Sequence, residues 1–197
     1  MRGLADEAAY PVPHASKQEG AGAARRLAPA RGGRYQAFVA RPFLESYRGE
    51  SIEQLIALKE SHRIDSLVLA VEQALREKPA AELTEPARVV LVVEAMEREV
   101  NNGGFDQLLF NCSRESVREL VPALRLIGCP RAAAIAEEAI AASGVSQQSG
   151  AESACEPSDD CRAKLEECDA RYYANDERVE LRLFAFIEAH QHELRIP

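Results

Sequence analysis

The fold is decided by residues 84–112, which read TEPARVVLVVEAMEREVNNGGFDQLLFNC. Thr84 is a good helix cap, and Pro86 suits the first turn because the N–H that proline lacks would have no partner there. The apolar residues that follow recur at the helical period, at Val89, Val92, Val93, Met96 and Val100. The stretch therefore predicts a buried helix that ends at residues 101–104, and a short helix from Phe105 to Cys112.

The same helical period extends in both directions from this stretch. Upstream, Ser51 and Gln54 form a capping-box pattern, and an apolar stripe runs from Ile64 to Lys78; whether the two form one bent helix stays open. Downstream, helices are predicted from the cap Ser113 to Ile127, from Arg131 to Ala142, from the cap Ser158 to Tyr172, and from a cap at Asn175 to about His190. Because strand-like alternation is nearly absent, the predicted fold is all-α, a compact orthogonal bundle of several helices.

Composition divides the chain into three parts. Residues 1–42 are rich in Ala, Gly and Arg, carry a net charge of +4 and lack a helical period, which predicts a disordered basic tail. This tail could be a plain extension, a basic arm for nucleic acid or acidic surfaces, or an organelle transit peptide. Residues 43–83 are predicted to be N-terminal helices that pack on a main helical domain over residues 84–197, which contains a loop at residues 145–157.

Charge and hydropathy exclude two classes of protein. The chain has 197 residues and a net charge of −8, and residues 43–197 alone carry −12, so direct nucleic-acid binding by the main domain is not expected. No uninterrupted apolar run exceeds five residues, whereas a membrane span needs about 20. Five cysteines without an apolar leader after Met1 predict a cytoplasmic protein.

The polar residues around Glu99 are the first candidate site. Glu99 lies in the last turn of its predicted helix, where the macrodipole disfavours a carboxylate, so it needs a specific partner. In a structural interpretation, backbone N–H groups or an arginine bind Glu99, and the Asn and Gly residues supply left-handed conformations for a tight turn. In a functional one, Glu99 is the base of an enzyme or small-ligand pocket. The motif residues are Glu99, Asn101, Asn102, Gly103, Gly104, Phe105, Gln107 and Asn111.

A second candidate site is acidic. Residues 152–180 hold ten acidic and four basic residues, a net charge of −6. Rows of carboxylates on helices could resemble DNA phosphates to a basic partner, or they could be a solvated face that also stabilises helix starts. The residues in question are Glu156, Asp159, Asp160, Glu166, Glu167, Asp169, Asp176 and Glu177.

No cofactor, metal or catalytic residue is predicted. Cys155, Cys161 and Cys168 form no CxxC pair, and His190 and His192 are two residues apart, which places them on different faces of a helix. The helical spacing of Cys161 and Cys168 instead predicts that they belong to a core stripe.

Three segments resemble a known family. These segments are EVNNGGF at residues 99–105 with Gln107 and Asn111, AL at 123–124 with IG at 127–128, and CD at 168–169 with YY at 172–173. They look like the C-terminal domain family named after a bacterial DNA-mimic protein, over roughly Thr84 to His192. Leu108 and Cys168 depart from the usual pattern, which has an aromatic residue and a leucine there.

The resemblance implies an all-helical, cytoplasmic bacterial protein. From the family's namesake it also implies an acidic homodimer that occupies the DNA-binding surface of a transcriptional regulator. The predicted function is therefore a non-catalytic interaction protein whose partner is a basic DNA-binding protein. The alternative is an enzyme or small-ligand-binding protein that uses the pocket between Glu99 and Asn111.

Overall fold

Helices form the regular secondary structure of this protein. The computed structural model describes residues 41–144 and 158–196, and no strand occurs within these ranges. The helices are α1 (Ile52–Ala57), α2 (Ile64–Arg76), α3 (Glu85–Asn111), α4 (Arg114–Leu126), α5 (Pro130–Ser143), α6 (Asp159–Tyr173), α7 (Val179–Ala189) and α8 (Gln191–Leu194). The predicted compact, all-α fold is confirmed. The predicted tail, apart from residues 41 and 42, and the predicted loop at 145–157 lie outside the described residues.

Side-chain caps begin four helices where the sequence predicts them. Ser51 and Gln54 form both halves of the capping box of α1. Helices α3, α4 and α6 follow Thr84, Ser113 and Ser158, whose hydroxyl oxygens each accept a backbone N–H three residues further on. Helices α1 and α2 are separate, since a 3-10 turn at Leu58–Glu60 and an extended residue, Arg63, divide them.

Helix α3 is the centre of the fold. It packs against α2, α4, α5, α6, α7 and α8, and its predicted inner residues Val93, Met96 and Val100 are fully buried. Burial of each such side chain stabilises the fold by roughly 1.5–3 kcal/mol. No helix within the described ranges is both long enough and apolar enough to cross a membrane.

The last helices differ from their prediction in two details. Leu165, Cys168 and Tyr172 form the buried stripe of α6 as predicted, whereas Cys161, also predicted to belong to it, is only half-buried at the edge of the core. However, α7 begins at Val179 with no side-chain cap, and the side chain of Asn175 instead accepts the N–H of Glu177 at 3.3 Å. Asn175 therefore closes a turn before the helix. Asparagine is common both in such turns and at helix caps, because its short side chain can accept a nearby backbone N–H in either place.

A buried carboxylate of α2 forms an ion pair with an arginine of α3. The side chain of Glu72 is only 3% exposed, and its Oε1 accepts from Arg98 at 2.6 Å and from Arg76 at 3.2 Å. An ionised group in the interior is tolerated only when such partners replace the water that it loses. This ion pair therefore fixes α2 against α3.

Candidate functional site

The Gly-Gly pair of the motif places a kink in the middle of α3. Gly103 is extended, with φ −161°, and Gly104 has φ +75° and ψ −172°, a conformation that is essentially restricted to glycine. The N–H of Phe105, which starts the second half of the helix, donates to the Asp169 carboxylate at 2.8 Å. An acidic residue of α6 thus caps the second half of α3.

Phe105 anchors the helix beyond the kink. Its ring is fully buried and meets the ring of Tyr172 edge to face, with 5.8 Å between the centroids. The aromatic contact and the Asp169 cap connect α6 to the same turn of α3.

Glu99 bridges the kink. Its Oε2 accepts from the Asn111 amide at 2.7 Å and from the Gln107 amide at 2.9 Å, while Arg98 Nε lies 3.5 Å from Oε1. The bonds from Asn111 and Gln107 hold the pKa of Glu99 below its usual value. A carboxylate held ionised in this way is a weak general base, because catalysis favours a pKa near the working pH.

Two of the three asparagines of the motif, Asn101 and Asn102, form no hydrogen bond with the Glu99 carboxylate. Asn101 and Asn102 are exposed and still helical, so Gly104, and not an asparagine, adopts the positive φ at this turn. The Asn101 amide donates to the Glu97 carbonyl at 2.7 Å. The structure therefore groups Glu99 with Gln107 and Asn111, and places Asn101 and Asn102 at a different surface.

That surface is a cleft of about 640 Å³ to which α2, α3 and α7 all contribute. Asn101 and Asn102 line it together with Glu94 and Glu97 of α3. Neither glutamate is among the predicted site residues, since the sequence pattern shows only two acids three positions apart beside an apolar stripe. Their convergence with α2 and α7 requires the tertiary structure.

The predicted acidic residues separate into surface carboxylates and structural ones. Those fully on the surface are Asp159, Asp160, Glu166, Glu167 and Asp176, the last in an ion pair with Arg131. Asp169 caps the second half of α3, and Glu177 accepts from the N–H groups of Ala132 at 2.8 Å and Arg131 at 3.0 Å at the start of α5. Glu156 lies outside the described residues.

Glu177 should stabilise the protein in a pH-dependent manner. Although partial burial would raise its pKa, the N–H groups of Ala132 and Arg131 hold the pKa below the usual value. Glu177→Ala is expected to lower the free energy of unfolding by about 1–2 kcal/mol at pH 7, the value of a helix cap. Because the folded-state pKa is depressed, this contribution is complete above about pH 4.3 and is lost as the pH falls through the folded-state value.

Urea denaturation at pH 7 and pH 3 tests this prediction. Glu137→Ala, which removes an exposed carboxylate of α5 paired with Arg125, is the control and should cost less than about 1 kcal/mol. An equal loss for Glu177→Ala at both pH values would show that its charge does not act as a cap.

Within the described ranges, no group of three His, Cys, Asp or Glu side chains could hold a metal ion. Cys112, Cys129, Cys161 and Cys168 are free thiols, and burial raises the pKa of Cys129 to about 11 and that of Cys168 above its usual value. Thiols with a raised pKa are poor nucleophiles, because the thiolate is the reactive form. Cys155 lies outside the described residues.

Comparison with known proteins identifies a family. Residues 81–190 match the model of a family described as DMP19-like protein, a range that covers more than half of the chain. No curated protein and no solved structure matches the chain.

Proposed function

Since this chain belongs to the DMP19-like protein family, we propose that it is a non-catalytic interaction protein that mimics DNA and binds a basic DNA-binding regulator. The proposal extends to this chain what the resemblance implies for the family's namesake. Under this proposal the protein is a homodimer in the bacterial cytoplasm. Sedimentation equilibrium measures the oligomeric state directly.

The exposed carboxylates of α6 are the observation that carries this proposal. Asp159 and Glu166 are seven residues apart, as are Asp160 and Glu167, so each pair shares a helix face about 10 Å apart along the axis. We call these four residues the acidic face. Such an array attracts a basic surface over a distance comparable to the Debye length, about 8 Å at physiological ionic strength.

Neighbouring bases neutralise only part of the acidic face. Lys164 pairs with Glu167 at 2.8 Å, and Arg162 lies 3.4 Å from Asp159. Asp160 and Glu166 have no ion pair within the described part of the chain, so their charges are available to a partner.

The enzyme alternative at Glu99 has less support. The Glu99 side chain is 14% exposed, and both its Oε2 contacts are amides of the same helix. A substrate would have to displace those amides, and the lowered pKa opposes proton abstraction.

Charge reversal of the acidic face tests the proposed function. Asp160→Lys combined with Glu166→Lys should weaken binding of a captured DNA-binding protein about tenfold or more, because two attractions become repulsions worth up to about 1 kcal/mol each. The readout is the affinity of the purified pair at several salt concentrations, with duplex DNA as competitor.

The matched control reverses two exposed acids outside α6. Glu77→Lys with Glu82→Lys makes the same change in net charge and should alter the affinity less than about twofold, a difference that screening in salt removes. If the α6 double variant binds as tightly as the wild type, or if duplex DNA does not compete, the acidic face is not the binding surface.

A further inference from the structure

The cleft described above combines an apolar wall with acidic residues, among them Glu94 and Glu97 of α3. Its apolar contributions include Phe43 from the segment before α1, Leu69 of α2 and Leu181 of α7. Phe43 and Leu181 are 44% and 41% exposed, so both are accessible to a ligand. The volume of about 640 Å³ lies within the roughly 300–1,000 Å³ typical of ligand sites.

The basic residues at the cleft are all engaged by other carboxylates. Arg63 pairs with Asp65, Arg178 pairs with Glu180, Arg41 pairs with Glu60, and Arg98 pairs with Glu72 and Glu99. An anionic ligand would therefore share each arginine with a carboxylate that already balances its charge.

The two glutamates that α3 contributes to the cleft, Glu94 and Glu97, have no such basic partner. No hydrogen bond or ion pair involves the Glu94 carboxylate in the ranges that the structure describes, and Glu97 is bonded through its carboxylate only to the neutral groups of Tyr172 and Asn101. Glu94 and Glu97 are three residues apart, so they lie on the same side of α3. The cleft thus offers two carboxylates that lack a cation.

The surroundings of Glu94 disfavour its ionised form. Burial, together with the carboxylates of Glu72, Glu97 and Asp65, raises its pKa to about 7 against the opposing effect of Arg98. Further charges at the cleft are Arg41, Arg63, Arg178 and Glu180. At neutral pH the Glu94 carboxyl is therefore about half protonated, and a bound cation would favour its ionisation.

We propose that this cleft binds an organic cation, an amine or a guanidinium, whose charged group lies against Glu94 and Glu97 and whose apolar part contacts Phe43 and Leu181. A metal ion fits less well, since no three ligating side chains converge in the described residues. The proposal does not rest on the proposed function, because the acidic face takes no part in it.

The first test uses small aromatic cations as probes. Benzylamine and phenylguanidine should bind the full chain and shift the side-chain amide resonances of Asn101 and Asn102, whereas the neutral benzyl alcohol should not. Because the cation displaces the Glu94 proton, the affinity should rise about tenfold between pH 6 and pH 8. Absence of binding by both cations, or equal binding of the alcohol, would overturn the proposal.

Variants at the cleft complete the test. Glu94→Gln, which keeps the shape of the side chain, should weaken cation binding at pH 8 at least tenfold. It should also reduce the pH dependence to the part that comes from Glu97, whose pKa burial raises as well. Phe43→Ala should weaken cation binding and keep its pH dependence. This variant tests the site if Glu94→Gln fails to fold. Glu77→Gln, an exposed control, should behave as the wild type, as should Asp160→Lys with Glu166→Lys. Unchanged affinity and pH dependence in Glu94→Gln would refute the site.

Discussion

Gly104→Ala is expected to destabilise the protein by about 3 kcal/mol or more. The backbone conformation of Gly104 costs other residues about 1–3 kcal/mol. In addition, a Cβ there would lie against Asp169 Oδ2 and 2.7 Å from its Cγ, so the carboxylate would have to leave the N–H of Phe105. A hydrogen bond to a charged group contributes about 1.5–3 kcal/mol. Thermal unfolding should show a Tm lower by about 10 °C.

Two controls separate these costs. Gly128 also has a positive φ, +82°, but a Cβ there would meet nothing within 4 Å, so Gly128→Ala should cost only about 1–2 kcal/mol. Asp169→Ala removes the cap alone, and adding it to Gly104→Ala should cost less than the sum of the two single changes by about 1 kcal/mol or more. Strict additivity would show that the glycine does not make room for the carboxylate.

Arg98→Met is expected to lower the free energy of unfolding by about 3 kcal/mol. The substitution leaves the buried Glu72 with Arg76 alone, and loss of one partner from a buried ion pair typically costs about 3–5 kcal/mol. Equilibrium denaturation in urea measures the change, which should appear as a lower midpoint with an unchanged slope.

The matching control is Arg76→Met. The Arg76 side chain is 60% exposed and contacts the same carboxylate oxygen, so its loss should cost less than about 1 kcal/mol. Glu72→Leu added to Arg98→Met should recover most of the stability, because an apolar pair can replace a buried ion pair at little cost. A double variant as unstable as Arg98→Met would mean that the arginine acts through other contacts.

The fold is predictable from the sequence because residues close to each helix start determine where most of the helices begin. Ser51, Thr84, Ser113 and Ser158 each cap a helix whose apolar period follows within one turn. The start of α7 is less predictable from the sequence, because Asn175 has a side chain suited to a helix cap. Only the backbone conformation of residues 175–178 shows that Asn175 closes a turn before the helix instead.

The candidate site is predictable only in part, because its contacts are long-range. The position of Glu99 in the helix indicates that its carboxylate needs a partner. Gln107 and Asn111 reach that carboxylate only because the kink at Gly103 and Gly104 turns the following residues of α3 towards it. Likewise, a count of acidic residues does not distinguish structural carboxylates from exposed ones. Asp169 and Glu177 accept backbone N–H groups of α3 and α5, whereas Asp160 and Glu166 face solvent.

The kink in α3 also determines which kinds of evolutionary change this region can accept. Each residue added to a helix rotates everything beyond it by about 100°. One inserted or deleted residue near Gly103 would turn Phe105 out of the core and move its N–H away from Asp169. Relatives that keep this architecture should therefore vary in length at the loops between helices, and keep the number of residues between Glu99 and Asn111 constant.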